Sequence, residues 1–179
     1  EAVNHPADPG AGTRTLRFGR EVFIERDDFM ENPPNKFYRM AVGREVRLRY
    51  AYLVTCRQVV KDADGNVVEL RCAYDPASRG GNAPDGRKVK ATLHWVSGRD
   101  ARPAEVRLYS TLFNRPDPGA GGDLDADLNP GSLEVLSGAL LEPSLAEMPV
   151  GEAVQFERQG YFCADPASRS DALVFNRTI

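Results

Sequence analysis

The sequence contains few histidines and cysteines, and this scarcity excludes most of the usual catalytic and metal-binding patterns. Its 179 residues include 2 histidines and 3 cysteines. No Ser-His-Asp arrangement, glycine-rich phosphate loop or HExxH spacing can be assembled around His5 and His94. The odd number of cysteines, without a CxxC pair, indicates neither a disulfide framework nor a zinc site. We expect Cys56, Cys72 and Cys163 to be buried reduced thiols, and we predict no catalytic residue, cofactor site or metal site.

Long apolar runs are also missing. No segment approaches the roughly 18 apolar residues that a membrane span requires, and the N-terminal residues carry no signal-peptide pattern. We therefore expect a cytoplasmic protein without membrane contact. The absence of an initiating methionine leads us to expect a piece excised from a longer chain.

One acidic segment resembles a calcium-binding motif but lacks residues that the motif requires. The run from Asp62 to Asn66 resembles the start of a calcium-binding loop, but its glycine occupies the fourth position and Ala73 the twelfth. A calcium loop requires glycine at the sixth position and a bidentate glutamate at the twelfth. A hairpin turn is the better interpretation.

We interpret the Asp27-Asp28 pair as surface charge.

Positive charge is concentrated in one part of an acidic chain. The window from Pro34 to Arg107 holds 15 Lys and Arg against 8 Asp and Glu, whereas the whole chain has a net charge of -3. A local cationic field of this kind is expected of a site for a polyanion. A solvated charged face is the alternative that charge alone leaves open.

Alternation of apolar and polar residues indicates strands rather than helices. It is clearest over Arg44–Val54, and the remaining strand-like runs are Glu21–Arg26, Val67–Ala73, Lys88–Val96, Glu105–Leu108, Leu133–Leu136, Val154–Glu157 and Tyr161–Ala164. Short strands at this spacing predict an all-β barrel or sandwich.

Pro- and Gly-rich clusters at 32–35 and 115–122 predict an inserted segment whose flanks form a second unit. Trp95, in an apolar run, is predicted to be buried.

The basic window also carries the residue types that hold single-stranded RNA. Side chains two apart on a strand lie roughly 7 Å apart on one face, so Arg47 and Arg49 would present two guanidinium forks side by side. Such forks pair with phosphate or with guanine and stack on bases. Nearby aromatic residues suited to stacking are Phe37, Tyr38, Tyr50 and Tyr52. Nucleic-acid binding is favoured, with a protein-binding or structural barrel as the alternative.

Several runs together resemble glutaminyl-tRNA synthetases. They are FGREVFIERDDF (18–29), GREVRLRYAY (43–52), DGRKVKATLHWVS (85–97), AEVRLYSTLF (104–113), NPGSLEVL (129–136), EPSLAE (142–147), QFERQGYFCAD (155–165) and VFNRT (174–178). Their order and spacing are similar to the C-terminal anticodon-binding region of that family along the whole chain.

The resemblance implies a fold of two β-barrels, with a distal barrel at 34–115 inserted into a proximal barrel formed by 1–33 and 116–179. It implies a tRNA-reading part of an ATP-dependent ligase that binds tRNA(Gln). ATP and Mg²⁺ would belong to a catalytic domain outside this chain, no DNA would be bound, and a monomer is expected. A eukaryote-type glutamyl-tRNA synthetase and a free-standing protein-binding β-barrel are the alternatives.

The resemblance also implies anticodon contacts at six positions. Arg39 matches the arginine that reads the third anticodon base, a guanine, and this favours glutamine, because glutamate anticodons end in cytosine. Arg47 and Arg49 match the arginines around the first base. Gln155 and Arg158 match the polar residues near the middle uracil. Lys36 stands where some members have a glutamine that contacts the middle base. A bulge or turn is required for both Gln155 and Arg158 to face RNA.

Overall fold

A computed structural model describes residues 1–178, and over this range the chain is all-β, as predicted. It has thirteen strands and five short 3₁₀ helices in these residues, without an α-helix. None of the helices among the described residues has the length and apolar character needed to cross a membrane. The chain divides into two compact units, Glu1–Asp100 (the first unit) and Ala101 onward (the second unit). Closure of each unit into a barrel, and the insertion at 34–115, stay predictions.

The first unit contains one four-stranded sheet and two small strand pairs. Strands β1 and β2 pair with each other, as do β3 and β8, and the sheet has the order β6-β5-β4-β7. The bounds are β1 Ala2–Val3, β2 Thr13–Arg14, β3 Val22–Phe23, β4 Glu45–Leu48, β5 Leu53–Lys61, β6 Val67–Tyr74, β7 Thr92–Leu93 and β8 Val96–Ser97. Strand β4 is antiparallel to β5 and parallel to β7.

The core of the first unit lies against this sheet. The ten buried residues that form it are Phe29, Met40, Val46, Leu48, Ala51, Val54, Cys56, Ala91, Leu93 and Trp95. Val46 and Leu48 alternate along β4, as the period-2 pattern predicted, and both are almost completely buried. The prediction that Trp95 is buried is confirmed.

A tight turn joins β5 to β6 and replaces the apparent calcium loop. Asp62 Oδ1 accepts hydrogen bonds from the backbone N–H groups of Asp64 and Asn66, at 3.0 and 2.8 Å. Gly65 has φ 86°, a conformation that glycine adopts at little cost. Asn66 Nδ2 also donates to Asp62 Oδ2 at 3.1 Å, and this side-chain bond, followed by the backbone bonds, lowers the pKa of Asp62. The predicted hairpin turn is therefore confirmed.

The prediction of one continuous strand over Arg44–Val54 is wrong. The chain leaves β4 after Leu48, turns through Arg49–Tyr52 and re-enters the sheet as β5. The Ala51 N–H donates to the Leu48 carbonyl at 2.9 Å, and Tyr50 has φ 60°. Arg47 therefore lies in a strand and Arg49 in a turn, which changes how their guanidinium groups are held. The strands predicted at Glu21–Arg26 and Lys88–Val96 are also too long, because only the short strands β3, β7 and β8 form there.

The second unit is built on one five-stranded sheet of order β10-β9-β13-β12-β11. The bounds are β9 Arg102–Tyr109, β10 Leu133–Leu141, β11 Ala153–Phe156, β12 Gly160–Ala164 and β13 Leu173–Arg177. Strands β9 and β13 are parallel, and the other neighbours are antiparallel. The buried residues against the sheet are Ala104, Val106, Leu141, Phe162, Ala164, Leu173 and Phe175.

Candidate nucleic-acid interface

The side chain of Arg39 is anchored by the acidic residues Asp27 and Asp28. Its Nε lies 3.4 Å from Oδ1 of Asp28, whose side chain is only 1% exposed, while the Arg39 side chain is 40% exposed. The Nη1 group donates to the Asp27 carbonyl at 3.0 Å. The interpretation of Asp28 as surface charge is therefore wrong, because a buried carboxylate requires a cationic partner. Its position directly before the apolar Phe29 was the one sequence signal for burial.

Local backbone bonds hold Arg39 beside this carboxylate. Asp28 ends a 3₁₀ helix, Arg26–Asp28, and its carbonyl accepts a hydrogen bond from the Met40 N–H at 2.9 Å. Phe29 and Met40 form an isolated bridge, and both side chains are buried in the core. The segments on either side of the ion pair are thus fixed by core packing, so the guanidinium has a defined position.

A cavity of about 600 Å³ opens beside Arg39 in the first unit. The residues that line it are Arg26, Asp27, Phe29, Met30, Glu31, Phe37, Arg39 and Val67. Its wall combines apolar and aromatic side chains with two guanidinium groups and two carboxylates. The aromatic and guanidinium groups are of the types that stack on a base and bond its edge. A guanidinium has five N–H donors, so Arg39 can keep its two protein contacts and still donate to a ligand.

The segment before Arg39 presents an exposed aromatic ring and two cations. Lys36 is exposed in a turn at φ 70°, and Tyr38 is 54% exposed. The Nζ of Lys90, which is also exposed, lies 5.4 Å from the centre of the Tyr38 ring. An open aromatic ring beside an ammonium group suits base stacking next to a phosphate.

The side chain of Arg47, in strand β4, is held by oxygen atoms of the protein. Its Nε donates to the Gly81 carbonyl, and its Nη1 lies 3.2 Å from Thr92 Oγ1 and 3.5 Å from the Val89 carbonyl. Gly81 has φ 90°, and a Cβ atom there would lie 2.9 Å from Arg47 Cδ, so the contact requires glycine. The half-buried guanidinium therefore has a fixed orientation.

Arg49 lies in the turn that follows β4. Its guanidinium carbon is 5.5 Å from the centre of the Tyr50 ring, and its carbonyl accepts a hydrogen bond from Trp95 Nε1 at 2.9 Å. The Arg49 N–H donates to the Leu93 carbonyl at 3.0 Å. The backbone of Arg49 is thus fixed to the core, and its side chain stacks on an aromatic neighbour.

Arg87 belongs to the basic window by sequence, but three carboxylates surround it. Its guanidinium makes two bonds to Glu45, at 2.8 and 2.9 Å, and further bonds to Asp75 at 2.5 Å and Asp85 at 2.7 Å. These contacts raise the pKa of Arg87, with Glu45 the largest cause, and lower that of Asp75. The pKa of Asp85 is lowered first by the Arg87 backbone N–H and then by its guanidinium. The positive charge of Arg87 is locally neutralised, so it adds little to a field for polyanions.

Gln155 and Arg158 lie in the second unit. Gln155 is exposed on β11 opposite Tyr161, and Arg158 is exposed in the turn between β11 and β12 at φ 65°. A turn therefore follows β11 at Arg158, and it stays a prediction that both residues face RNA. The structure places the other four predicted contact residues in the first unit.

The described residues, 1–178, contain no group of three or more His, Cys, Asp and Glu that could hold a metal ion. In the first unit, Arg39, Arg47, Arg49 and Tyr38 supply guanidinium groups and an exposed aromatic ring. Groups of these types are suited to an anionic, base-containing ligand.

Two family models match the chain, and both are described as the anticodon-binding domain of class I tRNA synthetases (E and Q). One covers residues 1–75 and the other residues 92–165. The chain is 66% identical to the glutamine–tRNA ligase of Nitrobacter hamburgensis and 64% identical to that of Nitrobacter winogradskyi, over all of its length and 32% of theirs. It is 51% identical to the glutamine–tRNA ligase of Clostridium kluyveri, over 98% of its own length and 32% of that protein.

The chain thus spans about a third of the length of these curated relatives. The two matched ranges account for most of it and carry the same description. This agrees with the guanidinium and aromatic groups of the first unit and with the order of the sequence runs. The chain belongs to the anticodon-binding domains of the class I tRNA synthetases for glutamate and glutamine.

Proposed function

We propose that this chain reads the anticodon of tRNA(Gln) as part of a glutamine–tRNA ligase. The single observation that carries the proposal is the anchored Arg39 beside a cavity lined by Phe29 and Phe37. A guanidinium fixed at the edge of an aromatic pocket is suited to a base that has left its stack. The high identity to glutamine–tRNA ligases supports glutamine as the amino acid.

Arg39 takes the third anticodon base, a guanine, in this proposal. Its fork pairs with O6 and N7 of guanine, and this pairing distinguishes guanine from the other bases. Asp28 holds the Arg39 side chain in place before RNA arrives, so little rotamer freedom is lost on binding. Cytosine lacks the O6/N7 edge of guanine, and its N4 amino group is a donor that a guanidinium cannot bond, which disfavours a glutamate anticodon.

The remaining predicted residues serve the other two bases and the backbone. Arg47 and Arg49 lie around the first base, and Gln155 and Arg158 near the middle uracil and its phosphate. Lys36, exposed in its turn, meets a phosphate or the uracil O4. Phosphate contacts set the register of the RNA, and base contacts supply the sequence preference.

The charging reaction belongs to the whole ligase, which we propose acts in the cytoplasm as a monomer. ATP and Mg²⁺ would bind in its catalytic domain, where they activate the amino acid. The described residues of this chain offer no ligand cluster that fits the metal, so no step is assigned to it here. The role of this chain is to accept the correct tRNA and reject others.

Titration of the chain with fluorescent anticodon stem-loops tests this function. Loops with guanine and with cytosine at the third anticodon position are compared at several salt concentrations. We expect tighter binding of the guanine loop, and log K should fall with log salt by about 0.7 per phosphate neutralised. A preference for cytosine would favour the glutamyl enzyme. Binding that ignores salt, or is absent, would favour the protein-binding barrel.

A further inference from the structure

Two cysteines of the first unit face each other across neighbouring strands. The register of β5 and β6 places Cys56 directly opposite Cys72. The Cys56 carbonyl accepts a hydrogen bond from the Gly43 N–H at 2.8 Å, so its backbone polar groups point away from β6. Opposed residues at such a non-hydrogen-bonded position have Cα atoms about 4.5 Å apart. This lies inside the range of about 4.4–6.8 Å that disulfides span.

The two thiols also share one face of the sheet. Directly opposed side chains in an antiparallel pair point to the same side. The Cys56 thiol donates to the Gln58 carbonyl at 3.7 Å, and the Cys72 thiol donates to the Leu70 carbonyl at 3.8 Å. Closing a bond between them requires no change of register. Cys163 lies in the second unit, outside this pair.

The two cysteines differ in how a reagent can reach them. Cys56 is completely buried in the core, whereas Cys72 is exposed on the outermost strand of its sheet. The expectation of buried thiols is therefore confirmed for Cys56 and wrong for Cys72. Cys72 also lines a cleft of about 1170 Å³ within the first unit, together with Val54 and Tyr74. A small oxidant therefore meets Cys72 first, and Cys56 is placed behind it to complete the reaction.

We propose that Cys56 and Cys72 form a redox-responsive pair that closes a disulfide between β5 and β6 when it meets a small disulfide such as oxidised glutathione. The Cys72 thiolate attacks one sulfur of the oxidant, which forms a mixed disulfide and expels one thiolate. The Cys56 thiolate then attacks Cys72 Sγ, forms the protein disulfide and expels the second thiolate. The two protons lost by the cysteines convert the expelled thiolates to thiols. Two protein thiols are oxidised and one small disulfide is reduced.

The environment of the pair makes this reaction slow near neutral pH. Although the Cys72 residue is exposed, partial desolvation of its thiol and the neighbouring Cys56 raise its pKa to about 12, and burial also raises the pKa of Cys56. Because the thiolate is the nucleophile, the rate rises about tenfold for each pH unit below these pKa values. The disulfide would therefore form slowly, under sustained oxidation, and the pair is not suited to rapid redox sensing.

The test is incubation of the reduced chain with oxidised glutathione at pH 7, 8 and 9, followed by thiol counting and peptide mapping. We expect two of the three thiols to disappear, a crosslinked Cys56–Cys72 peptide, and a rate that rises about tenfold per pH unit. The oxidised chain should melt several degrees higher, and a reductant should reverse the shift.

Three variants separate the pair from other thiol chemistry. Cys163→Ser should leave the crosslink unchanged, and Cys72→Ser should abolish it. Cys56→Ser should stop at a mixed disulfide on Cys72, and the exposed Cys72→Ser variant gives a readout even if the buried substitution unfolds the chain. Retention of all thiols, a stable mixed disulfide in the unaltered chain, or a crosslink to Cys163 would each overturn the proposal.

Discussion

Arg39 Nε lies 3.4 Å from Oδ1 of Asp28, and that carboxylate is almost completely buried while the arginine side chain is 40% exposed. One end of the pair is thus fixed in the core and the other faces solvent beside the cavity. A buried carboxylate without its cation would be costly. The core therefore determines where the exposed guanidinium points, and packing is coupled to base recognition.

Replacing Asp28 with Asn tests this coupling. The substitution keeps the shape but removes the charge that holds Arg39, so the preference for guanine over adenine should fall several-fold. Loss of a negative charge should not weaken binding to RNA of unrelated sequence. Asp27→Asn is the matched control, because Asp27 contacts Arg39 through its backbone carbonyl and its side chain is exposed. An equal loss of preference in both variants would contradict the positioning role of Asp28.

Replacing Trp95 with Ala should strongly destabilise the first unit. Trp95 is 4% exposed, packs edge-on against Phe18 at 5.8 Å and donates a hydrogen bond to the Arg49 carbonyl. Truncating a buried aromatic residue costs about 3–5 kcal/mol in free energy of unfolding. Denaturant titration measures this cost, and the exposed Tyr38→Ala should change stability by less than about 1 kcal/mol. Equal effects would contradict the assigned packing of Trp95.

Asp165 should make the second unit sensitive to acid. Its carboxylate accepts hydrogen bonds from the Ala167 N–H at 2.7 Å and from Asn176 Nδ2 at 2.6 Å, and it lies 3.2 Å from Arg107 Nη1. These contacts, Ala167 first, lower the pKa of Asp165 below its ordinary value of 3.8. A group whose pKa is lower in the folded state stabilises the fold above its ordinary pKa, and this stability is lost as pH falls further.

The measurement is unfolding of the whole chain by denaturant at pH 7 and at pH 3. Asp165→Asn should lose about 1–2 kcal/mol at pH 7, since hydrogen bonds to a charged group are removed. The difference from the unaltered chain should shrink at pH 3, because this pH lies below the ordinary pKa of 3.8 and part of the stabilisation by the ionised form is then lost. A difference that is the same at both pH values would contradict the assignment.

Local sequence signals predicted much of the fold. Alternation gave the all-β class and the buried face of β4, and the Asp-Gly-Asn run gave the turn between β5 and β6. The break after Leu48 could not be predicted in this way. Tyr50 adopts φ 60° although it is neither glycine nor asparagine, so the usual residue signal for a turn is absent.

Long-range charge pairing limited the prediction of the site. Arg87 was counted as part of a free basic patch, but Glu45, 42 residues earlier, neutralises it through the folded sheet. Asp28 was interpreted as surface charge because its partner Arg39 lies in another segment. The identity of a contact residue can be carried over from a family, whereas its anchoring partner becomes visible only when the chain has folded.

Arg39 is the residue on which the proposed recognition of guanine depends most directly. The decisive measurement is the affinity of the unaltered chain and of Arg39→Ala for anticodon loops with guanine or adenine at the third position. We expect Arg39→Ala to cost roughly 1–3 kcal/mol against guanine and much less against adenine, because only the paired fork distinguishes them. Comparing the two loops on the same variant removes any effect of the substitution on folding.

Lys90→Ala supplies the matched control in that experiment, since Lys90 is an exposed cation beside Tyr38 and has no predicted base contact. It should weaken both loops about equally, as expected of a phosphate contact. Loss of guanine preference in Arg39→Ala alone is the predicted result. An equal loss of affinity for guanine and adenine loops in Arg39→Ala would show that Arg39 contacts only the backbone, and would contradict the central claim.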